Sequence, residues 1–315
     1  MTISRAPVTF LMPVKNGALF LRNSLSNIQQ MAEPNDEILV IDDASTDETP
    51  SILRGFTSQS ANLVILNNPK PGLVNALNLG VKESQHKIIA RVDVDDVYQL
   101  DRISKQIEGL ETGTVAIFSD YSFFSPIATN LGQIVSGIFP SAVSASLISS
   151  QRTPHPSVMF SKEAVLEVGG YRVEDFPAED LSLWLRLSRI GDLRSIPENL
   201  LSYRLNPSGV SNTRQTEMLG KKQNLLKDIG VNPKDFERLL LEAQIHAVTY
   251  EKFSFSPERR LLLARDLFLI GKTQRNSHRF INLALRILSK DILNGAFLSS
   301  TVDLALAKSR RNRIR

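Results

Sequence analysis

Along the first 120 residues, short apolar runs alternate with segments whose apolar residues recur at helical spacing. The runs at 8–12, 37–41, 63–66, 87–92 and 115–118 read as strands, being short, apolar and bounded by polar residues. Between them, the segment 18–31 places Leu21, Leu25 and Ile28 on one helical face, and 46–56, 73–81 and 101–110 carry the same period. Repeated strand–helix units predict an α/β fold, with a mostly parallel sheet flanked by helices. In such sheets ligands lie beyond the carboxyl ends of the strands, so the residues that follow each strand are the first candidates for chemistry.

The middle of the chain, from about residue 119 to 204, is less regular. It carries expected strands at 158–160 and 201–204 and a helix at 180–189. Beyond residue 212 the strand pattern stops and helical periodicity takes over, as at 259–270 and 280–288. The expected organisation is an α/β domain over 1–212, a helical C-terminal domain over 213–307 and a basic tail at 308–315.

A hydrophobic fraction of 42% supports a packed core. The chain has no cysteine, which excludes disulfides, cysteine metal sites and thiol catalysis and fits a reducing compartment. Its four histidines stand apart at 86, 155, 246 and 278, which argues against a histidine-rich metal site. The net charge of +4 is a property of the tail: Lys308, Arg310, Arg311, Arg313 and Arg315 supply five cations, and subtracting them leaves −1 for the rest. The body is therefore not a basic nucleic-acid binder. The N-terminal apolar run is broken by Pro13 and Lys15, and no stretch reaches the ~18 apolar residues of a membrane span. The expected location is cytoplasmic, with the tail either attaching to an anionic membrane surface or serving as a solubilising end.

Three acidic clusters stand at expected element ends. Asp42 and Asp43 follow the second strand in ILVIDDASTDET; Asp93, Asp95 and Asp96 follow the fourth in IIARVDVDD; Glu179 and Asp180 open the helix AEDLSLWLRL. Alternating carboxylates after a buried strand suit a hard divalent cation that shares ligands with a substrate phosphate. The calcium-loop pattern is not met, since neither the turn glycine nor the closing glutamate is present. Each cluster also has a structural reading. The Asp93 to Asp96 segment reads equally as a turn capping the next helix, Ser45 or Thr46 would cap the helix after Asp43, and first-turn acids complement a helix dipole.

Taken in order, VTFLMPVKNG, EILVIDDASTDET, GLVNALNLG, IIARVDVDD, LDRISKQ, HPSVMF, GGY, AEDLSLWLRL and YRLNPSGVS resemble the family 2 inverting nucleotide-sugar glycosyltransferases, which have the GT-A (Rossmann-like) fold. The resemblance covers about residues 7 to 212. It implies sugar transfer from a nucleoside diphosphate, with UDP as the usual carrier, to an acceptor hydroxyl with the help of Mn²⁺ or Mg²⁺. A saccharide or lipid-linked saccharide of a bacterial surface polysaccharide or lipopolysaccharide is the implied acceptor.

The resemblance also implies roles. Pro13, Val14 and Asn16 match the loop against the nucleotide, Asp43 the aspartate that bonds the base, and Asn78 and Arg91 polar positions lining the donor site. Asp93 and Asp95 match the DxD motif, the first near the ribose and the second on the metal; Asp180 matches the general base. Glu179 is the rival base, although one residue along a helix turns it ~100° away. His155 is expected to be structural or acceptor-side. Two positions depart from the pattern: Leu100 replaces a proline, and Asn206 replaces a histidine near the diphosphate, leaving a third metal ligand from that segment open. A dehydrogenase is excluded because no GxGxxG turn follows the first strand, and a sugar-nucleotide pyrophosphorylase because its Gly-rich, Arg-bearing loop is missing. The rival of a different class is a non-catalytic relative that binds nucleotide or glycan in an assembly complex.

Overall fold

A computed structural model describes residues 5–57, 62–125, 133–134, 153–206 and 209–228. All lie in one compact unit, Met1–Ala247; a second, Val248–Arg315, lies outside the described residues. The expected helices at 259–270 and 280–288, most of the expected 213–307 domain and the basic tail therefore also lie outside them.

Among the described residues the chain runs β1 Val8–Val14, α1 Ala18–Met31, β2 Glu37–Asp42, α2 Thr49–Thr57, β3 Leu63–Asn67, α3 Leu73–Glu83, β4 Ile88–Arg91, β5 Val97–Tyr98, α4 Arg102–Glu108 and β6 Thr114–Phe124. There follow β7 Gln133–Ile134, a 3₁₀ turn His155–Ser157, β8 Met159–Ser161, α5 Lys162–Glu167, a 3₁₀ turn Val173–Asp175, α6 Glu179–Leu187, β9 Asp192–Arg204, α7 Val210–Thr213 and α8 Gln215–Asp228. The described strands form one sheet in the order β3-β2-β1-β4-β8-β6-β9-β5, with β7 beside β6. Pairing is parallel from β3 to β4 and between β6 and β9, and antiparallel on both sides of β8. Two antiparallel steps restore direction, so β6 and β9 end at the same edge as β1, β2 and β4. With β3, which runs parallel to β2, one edge thus gathers the carboxyl ends of six strands.

The core follows from side-chain alternation. In β1, Val8, Phe10, Met12 and Val14 join the cluster that also holds Leu21, Leu25 and Ile28 of α1, while Leu11 joins the cluster of Leu77, Leu181 and Trp184 on the other face. Strands covered on both faces read as unbroken apolar runs, which is why β1 to β4 are evident in the sequence. β6 and β9 are longer than the expected 115–118 and 201–204. Their pairing carries register shifts around Ser119 and Asp120, and those buried polar residues interrupt the apolar run. Helix α2 begins at Thr49 rather than 46, because Asp47 Oδ1 accepts from Thr49 N at 2.9 Å. Ser45 and Thr46 instead bond Asn16, through Asn16 N to Ser45 Oγ and Thr46 N to Asn16 Oδ1.

Candidate active site

A cavity of ≈ 510 Å³ opens at this edge. Its lining includes Arg91, Asp93 and Asp95 from the end of β4, Tyr121 and Phe123 from β6, His155 from the 3₁₀ turn, Glu179 and Asp180 from α6, and Arg204 to Asn206 after β9. The strand directions account for this convergence.

The residues after β4 form a turn of oxygen ligands. Carboxylate oxygens of Asp93, Asp95 and Asp96 lie within 4.8 Å of one another, but their surroundings differ. Asp93 Oδ2 is paired with Arg91 at 2.5 Å. Burial alone would lower the Arg91 guanidinium, but the adjacent Asp93 outweighs it, so Arg91 stays charged. Asp95 Oδ2 accepts from Asn206 Nδ2 at 3.1 Å. Asp96 is buried and accepts from Arg204 N at 2.8 Å, while its Oδ2 has no partner. Burial and then the neighbouring Asp93 push its carboxyl well above the usual range. None of the three caps the next helix: α4 begins at Arg102, after Asp101. The turn thus offers Asp95 and half of Asp93 to the cavity and holds Asp96 inside as a strut. An all-oxygen set on the cavity wall fits a hard divalent ion.

Asp180 and Glu179 occupy the first turn of α6, whose Trp184 is buried edge-on against Phe118 at 5.2 Å. Asp180 Oδ1 accepts from Leu181 N at 2.7 Å, and burial pushes its carboxyl up. The expected ~100° between the two acids does not separate them, because the helix end itself meets the cavity and both line it. Glu179 is 5% exposed, its Oε2 has no partner, and burial together with Asp180 raises it to about 7 from 4.5. A folded-state value raised in this way gives stability that is fully present below about pH 4.5 and lost as pH rises through 7. The melting temperature is therefore expected to fall between about pH 4.5 and 7, this one group supplying up to ~1.4 kcal/mol per pH unit. Glu179→Gln should flatten that fall in thermal unfolding; an equal fall in both proteins would assign it to other groups.

The other expected residues divide into two sets. Pro13 and Val14 end β1, Asp43 N donates to Val14 O at 2.8 Å, and Asn16 ties this loop to Ser45 and Thr46. Asp43 does not cap α2. Its Oδ1 accepts from Asn68 Nδ2 at 2.6 Å and from Gly72 N at 2.7 Å, a contact for which the backbone adopts φ +132° at Gly72, a glycine conformation. These residues stand beside the cavity rather than in its lining, and Gly17 abuts Val94 between the two aspartates of the DxD segment. Asn78 stands further back. Its amide brackets Tyr171, donating to the carbonyl and accepting from the N–H, both at 2.8 Å. His155 Nε2 lies 2.8 Å from the Tyr171 hydroxyl, and burial beside Arg91 pushes the ring well below its usual range, so it is neutral.

Three contributors went unread in the sequence. Arg204 donates from Nε to Asp95 O at 2.7 Å and stacks over Phe20 and Phe124. Asn68 holds Asp43, and Tyr98 contacts the Asp93 backbone. Asn68 was findable, since it follows β3 as Asp43 follows β2; Arg204 stands in the YRLNPSGVS segment with no role assigned to it, and Tyr98 acts through long-range packing that leaves no local pattern.

Residues 9–160 match the profile of glycosyl transferase family 2. An uncharacterized glycosyltransferase of Haemophilus influenzae is 28% identical over 291 residues, covering 84% of this chain and 88% of the relative. The chain is a glycosyltransferase whose residues 9–160 are similar to family 2. The Escherichia coli UDP-Gal:alpha-D-GlcNAc-diphosphoundecaprenol beta-1,3-galactosyltransferase is 30% identical to this glycosyltransferase over 179 residues, 55% of the chain and 64% of that relative. In structure the glycosyltransferase resembles the mannosyltransferase PcManGT of Pyrobaculum calidifontis, solved with GDP-Man and Mn²⁺. The TM-score is 0.58 at 16% identity, over 93% of this chain and 88% of the other. That likeness establishes the GT-A fold. Among the described residues of the glycosyltransferase, no helix is long and apolar enough to cross a membrane.

Proposed function

We propose that this glycosyltransferase moves a sugar, with inversion, from a nucleoside diphosphate sugar to the hydroxyl of a lipid-linked saccharide, with one divalent cation at Asp95. The observation that carries the reading is the convergence on one cavity of the Asp93 and Asp95 turn, the Arg91 cation and the α6 acids. In the proposed complex Pro13, Val14 and Asn16 pack on the nucleotide. Asp43 Oδ1 is fixed by Asn68 and Gly72, and the second oxygen takes the base N–H. Asp93 bonds the ribose. A bound Mn²⁺ or Mg²⁺ would supply charge neutralisation for the departing diphosphate.

Arg91 adds a fixed positive charge beside that diphosphate. Asp180 accepts the acceptor proton as the acceptor oxygen bonds to the anomeric carbon and the bond to the diphosphate breaks. One displacement needs one base, and a carboxyl pushed up by burial is a stronger base than a free one. Leu205 and Val210, both partly exposed, line the cavity with Met218 and give its mouth an apolar side suited to an amphiphilic acceptor. The E. coli relative's named lipid-diphosphate substrate supports the same acceptor class and a role in polysaccharide assembly.

The test is thermal shift with UDP, GDP and their sugar conjugates, with and without Mn²⁺. At 100 times the dissociation constant, binding adds about 2.7 kcal/mol of apparent stability. A metal-dependent rise with UDP exceeding that with GDP is expected; equal rises would remove the role given to Asp43. Slow hydrolysis of the stabilising donor distinguishes an enzyme from a binding-only relative, which leaves the donor intact.

A further inference from the structure

Behind the cavity wall lies a polar cluster with no part in the reaction so far described. Arg102, 0% exposed, is a whole guanidinium inside the protein. Its Nε donates to Gln106 Oε1 at 2.9 Å, and one terminal nitrogen donates to the carbonyls of Arg91 at 3.1 Å and Val158 at 3.0 Å. Its face lies 4.7 Å from the centre of the Tyr98 ring. Gln106 in turn donates to the carbonyls of Ile117 and Ser157. Burying a guanidinium is unfavourable, and burial pushes this one down to about 10. An apolar side chain would fill the space without that cost. What arginine adds is a planar fork that addresses two carbonyls and a ring at once.

The carbonyls and the ring converge on one target. Arg91 is the residue from which the DxD turn departs, and the Tyr98 hydroxyl accepts from Asp93 N at 2.6 Å. Tyr98 is itself fixed from the far side, since Asn27 of α1 donates to its carbonyl at 3.0 Å and accepts from its N–H at 2.8 Å. The turn backbone is thus held at its start by Arg102 and at Asp93 by Tyr98. We propose that Tyr98, backed by Arg102, is a positioning residue that sets the DxD turn for the donor and its cation. This rests on the donor-site reading given above.

The experiment compares Tyr98→Phe with two controls. Phe keeps the ring and removes only the acceptor of the Asp93 N–H. Thr9→Val removes a buried hydroxyl that bonds Glu37 at 2.7 Å, at the opposite end of β1. Asp95→Asn tests the donor site itself. For Tyr98→Phe the dissociation constant of UDP–Mn²⁺, by calorimetry, should rise ~10-fold and kcat should fall ~10-fold, the scale of one oriented hydrogen bond. Thr9→Val should lower the melting temperature without moving either. Parent-like binding and turnover in Tyr98→Phe, with Asp95→Asn impaired, would overturn the positioning role; parent-like binding in Asp95→Asn would overturn the donor reading instead. If Tyr98→Phe yields no folded protein, Asn27→Ser loosens Tyr98 from its far side and leaves the hydroxyl in place. It should weaken UDP–Mn²⁺ binding a few-fold, and unchanged binding there overturns the role equally.

Discussion

Asp180→Asn is expected to lower sugar transfer by ~10²–10⁴-fold, the usual contribution of a general base, and to leave donor affinity within about a factor of two. Asparagine nearly matches aspartate in shape but does not take up a proton at neutral pH. The carboxylate sits on a helix end that the buried Trp184 anchors, and its Oδ1 is oriented by the Leu181 N–H, so the substitution should leave the helix in place. Glu179→Gln is the matched control, because Glu179 lines the same cavity and holds its proton up to about pH 7. Turnover and donor affinity measured side by side decide the matter: a selective collapse in Glu179→Gln with near-normal Asp180→Asn would move the base to its neighbour.

Asp95→Ala is expected to remove the metal-dependent part of donor binding, raising the UDP–Mn²⁺ dissociation constant at least ~10²-fold. Losing an outer-shell partner alone typically costs 10–100-fold, and a direct ligand should exceed it. Asp96→Asn supplies the contrast. Asp96 faces inward and holds Arg204 N, so its replacement should disturb stability more than affinity. Calorimetry with UDP in the presence of Mn²⁺ or of chelator reads both variants, and equal metal dependence in Asp95→Ala and parent would remove Asp95 from the site.

How much of this was legible differs along the chain. The strands β1 to β4 could be read because a run buried on both faces must be apolar throughout, and the residues following them were thereby marked for chemistry. β6 was read short because Ser119 and Asp120 are buried polar residues in the middle of the strand, and β9 because Arg194, Ser195, Glu198 and Asn199 break its apolar pattern. At Asp43 the sequence left a helix cap and a site residue open, and only the Asn68 and Gly72 contacts, 25 and 29 positions on, exclude the cap. At α6 the helical period was read correctly, but it does not say whether a helix presents its side or its end. Glu179 therefore looked turned away although it lines the cavity. Asn206, whose side-chain chemistry alone left its part open, stands at the Asp95 carboxylate.

The antiparallel insertion of β8 has a bearing on how such a chain diverges. By reversing direction twice, it lets residues after position 119 build a second part of the cavity wall beside the one built by Arg91, Asp93 and Asp95, from stretches remote in sequence. Recombination or drift at 121, 123, 153–156, 203–206, 209, 210 and 218 then reshapes that wall while Arg91, Asp93 and Asp95 keep their strand, their register and the buried support beneath them. A gene with this layout can exchange one partner of its chemistry and inherit the other unchanged.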